Sequence, residues 1–123
     1  MSYAFAAGAH RLQTLKLQLW FENADGEGFG GGRIRLLKLI DELGSLSKAA
    51  HALDMSYRGA WGKLKKAEAV LGVPLVEAVG AKRDGCRLSA HGKALVAAYE
   101  TLYADTLAYA DRRAAELFNA EEQ

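Results

Sequence analysis

Apolar and polar positions alternate first with a period of two and then with the period of a helix. Leu15, Leu17, Leu19 and Phe21 are interleaved with Lys16, Gln18, Trp20 and Glu22, which predicts a half-buried strand. The glycine-rich run NADGEGFGGG, next along the chain, predicts a loop. From Arg33 the spacing of Ile34, Leu37, Leu39, Ile40 and Leu43 predicts a first helix, ended by Gly44. Ser45 and Ser47 are both candidate caps for a short second helix that turns Ala49, Ala50 and Leu53 inward. Asp54-Met55-Ser56 breaks it. Ser56 can cap a third helix over about 57–71, with Ala60, Trp61, Leu64, Ala67 and Leu71 facing inward at three-four spacing.

Gly72 and Pro74 end that helix, and PLVEAV, the turn GAKRDG and CRL then predict a hairpin. Ser89 caps a last helix running to about Phe118. Its apolar residues fall in two heptad series, Leu88, Leu95, Leu102 and Tyr109 beside Val96, Tyr103, Ala110 and Leu117. So wide an apolar face exceeds what one small core covers, which predicts a homodimer through Leu102, Tyr103, Leu107, Tyr109 and Ala110 on a helix spanning 89–118.

At 123 residues with half of them hydrophobic, the chain is expected to fold as one domain, with residues 1–13 the segment expected to stay disordered. Cys86 is the single cysteine and no run of apolar residues is long enough for a bilayer. The N-terminus has no secretory signature, so the expectation is a cytoplasmic protein that does not engage a membrane.

Net charge is only +1, but its distribution is uneven. Residues 45–98 carry nine basic and four acidic side chains, whereas residues 99–123 carry two basic and six acidic ones. A basic centre with an acidic tail is the electrostatic pattern of a chain that lays one face on double-stranded DNA.

Strand, helix, short helix, tight turn, longer helix, hairpin and long helix is the order of a winged helix-turn-helix. The expected fold is therefore mainly α with a small β-sheet, an N-terminal strand and a long C-terminal dimerisation helix. In that fold the helix at about 57–71 enters the major groove and the wing at about 80–87 meets backbone or minor groove. Arg58, in the first turn of that helix, can present its fork to guanine, while Lys63, Lys65 and Lys66 suit phosphates. Ser45, Ser47, Ser56 and Tyr57 carry hydroxyls near helix starts that can cap or touch DNA, and Lys82, Arg83 and Arg87 supply the wing. Gly59 and Gly62 each cost about 1 kcal/mol in a helix relative to alanine, for which close backbone approach to DNA or a neighbouring helix is one expected gain and neutral drift the alternative. The three-four spacing assigns Trp61 to the core.

The segment GSLSKAAHALDMSYRGAWGKLKKAE resembles the DNA-binding helices of LysR-type regulators. The pairing of GSLSKAA with MSYRGAW is most similar to the N-terminal domain of molybdate-responsive ModE-type regulators, and RLSAHGKAL resembles the wing exit of both groups. The resemblance spans roughly Leu15 to Leu117 and implies a winged helix-turn-helix, a dimer held by the last helix and a roughly palindromic operator. Two departures matter: the wing reads GAKRDGC where ModE-type regulators are glycine-rich, and with the sequence ending soon after the last helix no molybdate-binding region is expected. Oxyanion sensing is therefore not implied.

Other chemistry is poorly supported. GEGFGG matches G-x-G-x-x-G after a strand, but the next elements are two helices and not a second parallel strand, so a dinucleotide enzyme is disfavoured. His10, His51 and His91 are too scattered for a metal site or a catalytic triad. Cys86 lies beside basic residues that could lower its pKa, although an unreactive small residue is the simpler reading. The chain is thus expected to be a DNA-binding transcriptional regulator with no catalytic site, metal or cofactor. The alternative is a winged-helix protein-interaction module that does not bind DNA, disfavoured by the basic third helix. Operator, regulated genes, sign of regulation and any separate signal-sensing protein are not written in the sequence.

Overall fold

The computed structural model describes residues 14–118 apart from residue 82, so the expectation for residues 1–13 lies outside the described residues. Two strands and three helices lead the order: β1 (Trp20–Glu22), β2 (Gly28–Gly30), α1 (Gly31–Leu43), α2 (Leu46–Ala52) and α3 (Tyr57–Leu71). The hairpin β3 (Val76–Ala78) and β4 (Cys86–Leu88) comes next, and then the long helix α4 (Ala90–Phe118). Each pair of strands forms its own two-stranded antiparallel sheet. The trace divides into two compact units, one spanning residues 18–99 and the other comprising 100–118 with 14–17 among the described residues. The mainly helical winged helix-turn-helix expected from the sequence is the fold observed.

In the larger unit, α1, α2 and α3 pack around Leu36, Ile40, Leu46, Ala49, Ala50 and Ala60, with Leu53, Met55, Val76 and Cys86 closing over them. Alanine at the helix contacts lets the backbones approach closely, and Ala49 and Ala60 are fully buried. Each helix boundary has a local cause. Ser45 Oγ accepts from the Lys48 N–H at 3.0 Å and caps α2, whereas Ser47 lies within that helix. Asp54 takes a left-handed φ of 57°, turning the chain sharply between α2 and α3. Ser56 Oγ accepts from the Gly59 N–H at 3.0 Å and starts α3. Gly44 and Gly72 end α1 and α3 in the left-handed conformation.

Four expectations need correction. The strand expected from Leu15 is formed only over Trp20–Glu22, because β2 offers three residues to pair with. The alternation survives upstream as half-buried Leu15, Leu17 and Leu19 between exposed neighbours. The glycine-rich run is not a plain loop, since Gly28, Phe29 and Gly30 form a buried strand paired with β1. A Cβ at Gly28 would collide with the carbonyl oxygen of Phe21, so glycine permits that pairing. Finally, Leu71 and Trp61 are exposed, Trp61 by 48%, while Leu36 is buried without having been expected there. Ala60, Leu64 and Ala67 fill the inner face of α3, leaving the bulky neighbour Trp61 on its flank.

The start of α4 is anchored by a compact knot. Ser89 Oγ donates to the Pro74 carbonyl at 2.7 Å and accepts from the Gly92 N–H at 3.0 Å, capping the helix as expected. The Ser89 N–H donates to the Leu75 carbonyl at 2.9 Å, and the Leu75 N–H donates to Glu68 Oε2 at 2.8 Å. Tyr99 sits further along α4, buried against Phe21 edge to face, with its hydroxyl donating to the Leu19 carbonyl at 2.8 Å.

Candidate nucleic-acid interface

α3 separates two kinds of side chain by its own periodicity. Ala60, Leu64 and Ala67 point into the core, so Arg58, Gly62 and Lys65, at i, i+4 and i+7, share the opposite, outward face. Tyr57, Arg58, Trp61, Lys63, Lys65 and Lys66 are all exposed. Arg58, Lys63 and Lys66 form no ion pair with a described residue, so their charge is available to a ligand. Lys65 is different: its Nζ lies 3.2 Å from Glu68 Oε1 and 5.6 Å from the centroid of the Trp61 ring. Ser56 is exposed, but its hydroxyl is occupied in capping.

A second group gathers where the wing meets the helix-turn-helix. An open cleft of about 880 Å³ is lined by Asp41, Ser45, Ser47, Lys48, Asp84 and Arg87, among others. The sequence-predicted Ser45, Ser47 and Arg87 are therefore brought together there, apart from the α3 residues. Ser45 is buried with its hydroxyl turned to the Lys48 N–H, so its geometry is that of a cap. Ser47 is exposed. Arg87 stands opposite Glu77 in the hairpin register and its Nε donates to Glu77 Oε2 at 2.8 Å, so a carboxylate shares its charge. Arg83 is exposed in the turn at the wing tip, whereas the expectation for Lys82 falls outside the described residues.

Two carboxylates hold the wing to the helices. Asp84 Oδ2 accepts from the Ser47 N–H at 3.1 Å, and Asp41 Oδ1 accepts from the Leu88 N–H at 3.0 Å. The backbone adds a 3.0 Å bond from the Cys86 N–H to the Gly44 carbonyl and a bridge between Ser45 and Gly85. Asp41, Glu68, Glu77 and Asp84 were not singled out in the sequence: Asp41 and Asp84 act through partners 47 and 37 residues away, and Glu68 and Glu77 through pairings that the turn after α3 and the hairpin register create. Trp61 was missed differently, its three-four spacing having put it inward.

Cys86 is partly buried against the core. Burial, and secondarily the negative charge of Asp84, push its thiol above the ordinary cysteine range, with a hydrogen bond from the Leu46 backbone opposing them. The basic neighbours in sequence therefore do not activate it. Among the described residues there is no cluster of three or more His, Cys, Asp or Glu suited to a metal ion. No described helix is long and apolar enough to cross a membrane.

Residues 32–93 match the bacterial regulatory helix-turn-helix proteins of the lysR family, and this match covers half of the chain. The chain belongs to that family. It is 35% identical over 92 residues to the molybdenum-pterin-binding protein MopA of Rhodobacter capsulatus, covering 73% of this chain and 35% of MopA. It is 33% identical over 89 residues to the molybdenum transport protein ModE of Azotobacter vinelandii, covering 71% of this chain and 33% of ModE. The chain thus matches about a third of the length of these curated relatives. Among solved structures, the DNA-binding domain of CbnR in complex with DNA is similar with a TM-score of 0.55 at 25% identity, covering 68% of this chain and 93% of that domain. Full-length CbnR bound to its target DNA gives the same TM-score and identity, covering 28% of that protein. The matched family is one of bacterial regulatory helix-turn-helix proteins.

Proposed function

We propose that this lysR-family chain is a sequence-specific DNA-binding transcriptional regulator that acts as a homodimer. In this reading α3 enters the major groove and the wing meets backbone or minor groove. The observation that carries it is the exposed surface of α3, where Arg58 stands on the outward face with exposed Tyr57 and Trp61 on one flank and Lys63 and Lys66 on the other, the three cations forming no ion pair with a described residue, on a helix whose N-terminus is capped by Ser56. Arg58 reads a guanine edge, Lys63 and Lys66 meet phosphates, and Arg83 extends the contact from the wing. The similarity to CbnR domains bound to DNA supports the same reading. The molybdenum roles in the names of MopA and ModE are not carried over, since the aligned region is about a third of those proteins.

The homodimer is proposed to form through α4, with Leu102, Tyr103, Leu107, Tyr109 and Ala110 at the contact. Leu102 and Tyr109, one heptad apart, are 42% and 55% exposed, a repeat that suits a helix-to-helix seam.

Selection of a preferred duplex from a random pool, followed by anisotropy titration at fixed salt, tests the function. The preferred duplex should bind roughly 1,000-fold or more tightly than a scrambled one. Equal, weak binding to every duplex would support the interaction module instead.

A further inference from the structure

Trp61 is an exposed tryptophan on the flank of a helix rich in exposed cations, and a short chain of contacts reaches its ring. The Leu75 N–H donates to Glu68 Oε2 at 2.8 Å, and Glu68 Oε1 pairs with Lys65 Nζ at 3.2 Å. That ammonium lies 5.6 Å from the indole centroid. Glu68 is the anchor of this relay, its side chain only 13% exposed. The relay favours one placement of the indole while leaving 48% of the residue open to solvent. Trp61 stands one turn beyond Arg58, on the flank of α3 about a quarter turn from the buried face of Ala60, Leu64 and Ala67.

A large apolar surface held among cations complements a target that is anionic overall but presents an apolar group at one point. In the major groove the base edges offer one such group, the C5-methyl of thymine. From this we infer that Trp61 is a specificity-determining residue that packs against a thymine methyl one helical turn from the base read by Arg58. The inference rests on the proposed entry of α3 into the major groove and deepens it. Lys65 acts here as a positioning residue, steering the indole while Lys63 and Lys66 carry the phosphate contacts.

The test removes the methyl without altering hydrogen bonding. The preferred duplex is selected from a random pool, and each thymine is then replaced singly by deoxyuridine. Wild-type protein should lose about fourfold in affinity at one thymine per half-site, the value of one buried methyl. The W61A variant should bind thymine and deoxyuridine equally at that position and keep its full response at every other base. W61F, which retains an apolar ring, should recover part of the discrimination. Unchanged helical content by circular dichroism would show that W61A still folds. If W61A keeps the wild-type preference for thymine at every position, or wild type shows none, the inference is overturned while the proposed DNA binding stands. If wild type selects no duplex at all, both fall.

Discussion

Arg58 and Lys63 both present positive charge from α3, but their chemistry differs. A guanidinium fork can match two acceptors on a guanine edge, whereas a lysine ammonium meets a phosphate as a point charge. Arg58→Ala should therefore cost about 1–3 kcal/mol on the preferred duplex and far less on random DNA, while Lys63→Ala should weaken both by similar factors. Competition titrations with preferred and scrambled duplexes check this, and equal losses for Arg58→Ala would make Arg58 a phosphate clamp. Gly92 is limiting for a different reason. A Cβ there would collide with the Leu75 carbonyl oxygen, the acceptor that also ties Ser89 to the knot before α4. Gly92→Ala should destabilise the fold by about 1–3 kcal/mol through overpacking, read as a lower midpoint in urea. An unchanged midpoint would mean that the backbone there yields easily. Cys86 differs again, because burial raises the pKa of its thiol. Its folded pKa is raised, so folding favours the thiol over the thiolate, and this influence is absent below the unfolded thiol pKa and becomes destabilising as pH rises through it. Alkylation by iodoacetamide at pH 8 should accordingly be slower in the folded chain than in urea, and a faster folded reaction would contradict the assignment.

At the scale of elements, the wing is held at a defined place beside α2 by side-chain and backbone hydrogen bonds. Asp84 and Asp41 accept from Ser47 and Leu88 across 37 and 47 residues of chain. Replacing Asp84 by alanine removes the acceptor at the start of α2 without removing any cation from the wing. Binding through the wing should then weaken through loss of position. The expected result is reduced protection of the flanking DNA in a footprint, with the contacts of α3 retained. Arg83→Ala acts on charge itself, and should reduce the slope of log affinity against log salt by about one. If Asp84→Ala leaves the footprint unchanged, the remaining bonds from Cys86 to Gly44 and from Leu88 to Asp41 suffice to orient the wing. Arg87 should contribute less than Arg83, because Glu77 already shares its charge.

At the scale of the whole molecule, α4 carries the proposed assembly. Sedimentation at micromolar concentration should show a dimer, and replacing Leu102 and Tyr109 together by glutamate should shift it towards monomer. The double variant should also lose the preference for two-half-site over single-half-site DNA, since that preference needs two linked recognition helices. A wild-type chain that stays monomeric alone and on DNA would remove the dimer from the proposal.

Periodicity, capping residues and glycine stops are local properties of the chain, and for that reason the helices, the wing hairpin and the order of elements apart from β2 were legible in the sequence. Ser45, Ser56 and Ser89 each bond within the next turn of their own helix, and the inner faces of α2 and α3 follow from small apolar residues at helical spacing. The basic third helix was legible too, because neighbouring side chains on one helix share its environment. Tertiary structure decided what depends on distant partners. The glycine-rich run became a buried strand only through pairing with β1, and Arg87 lost part of its charge to Glu77 across the hairpin. Asp41 and Asp84 became supports of the wing only when α1 and α2 came beside it. Trp61 moved from expected core to surface because Ala60, Leu64 and Ala67 already fill the close contact on α3, leaving the large indole outside.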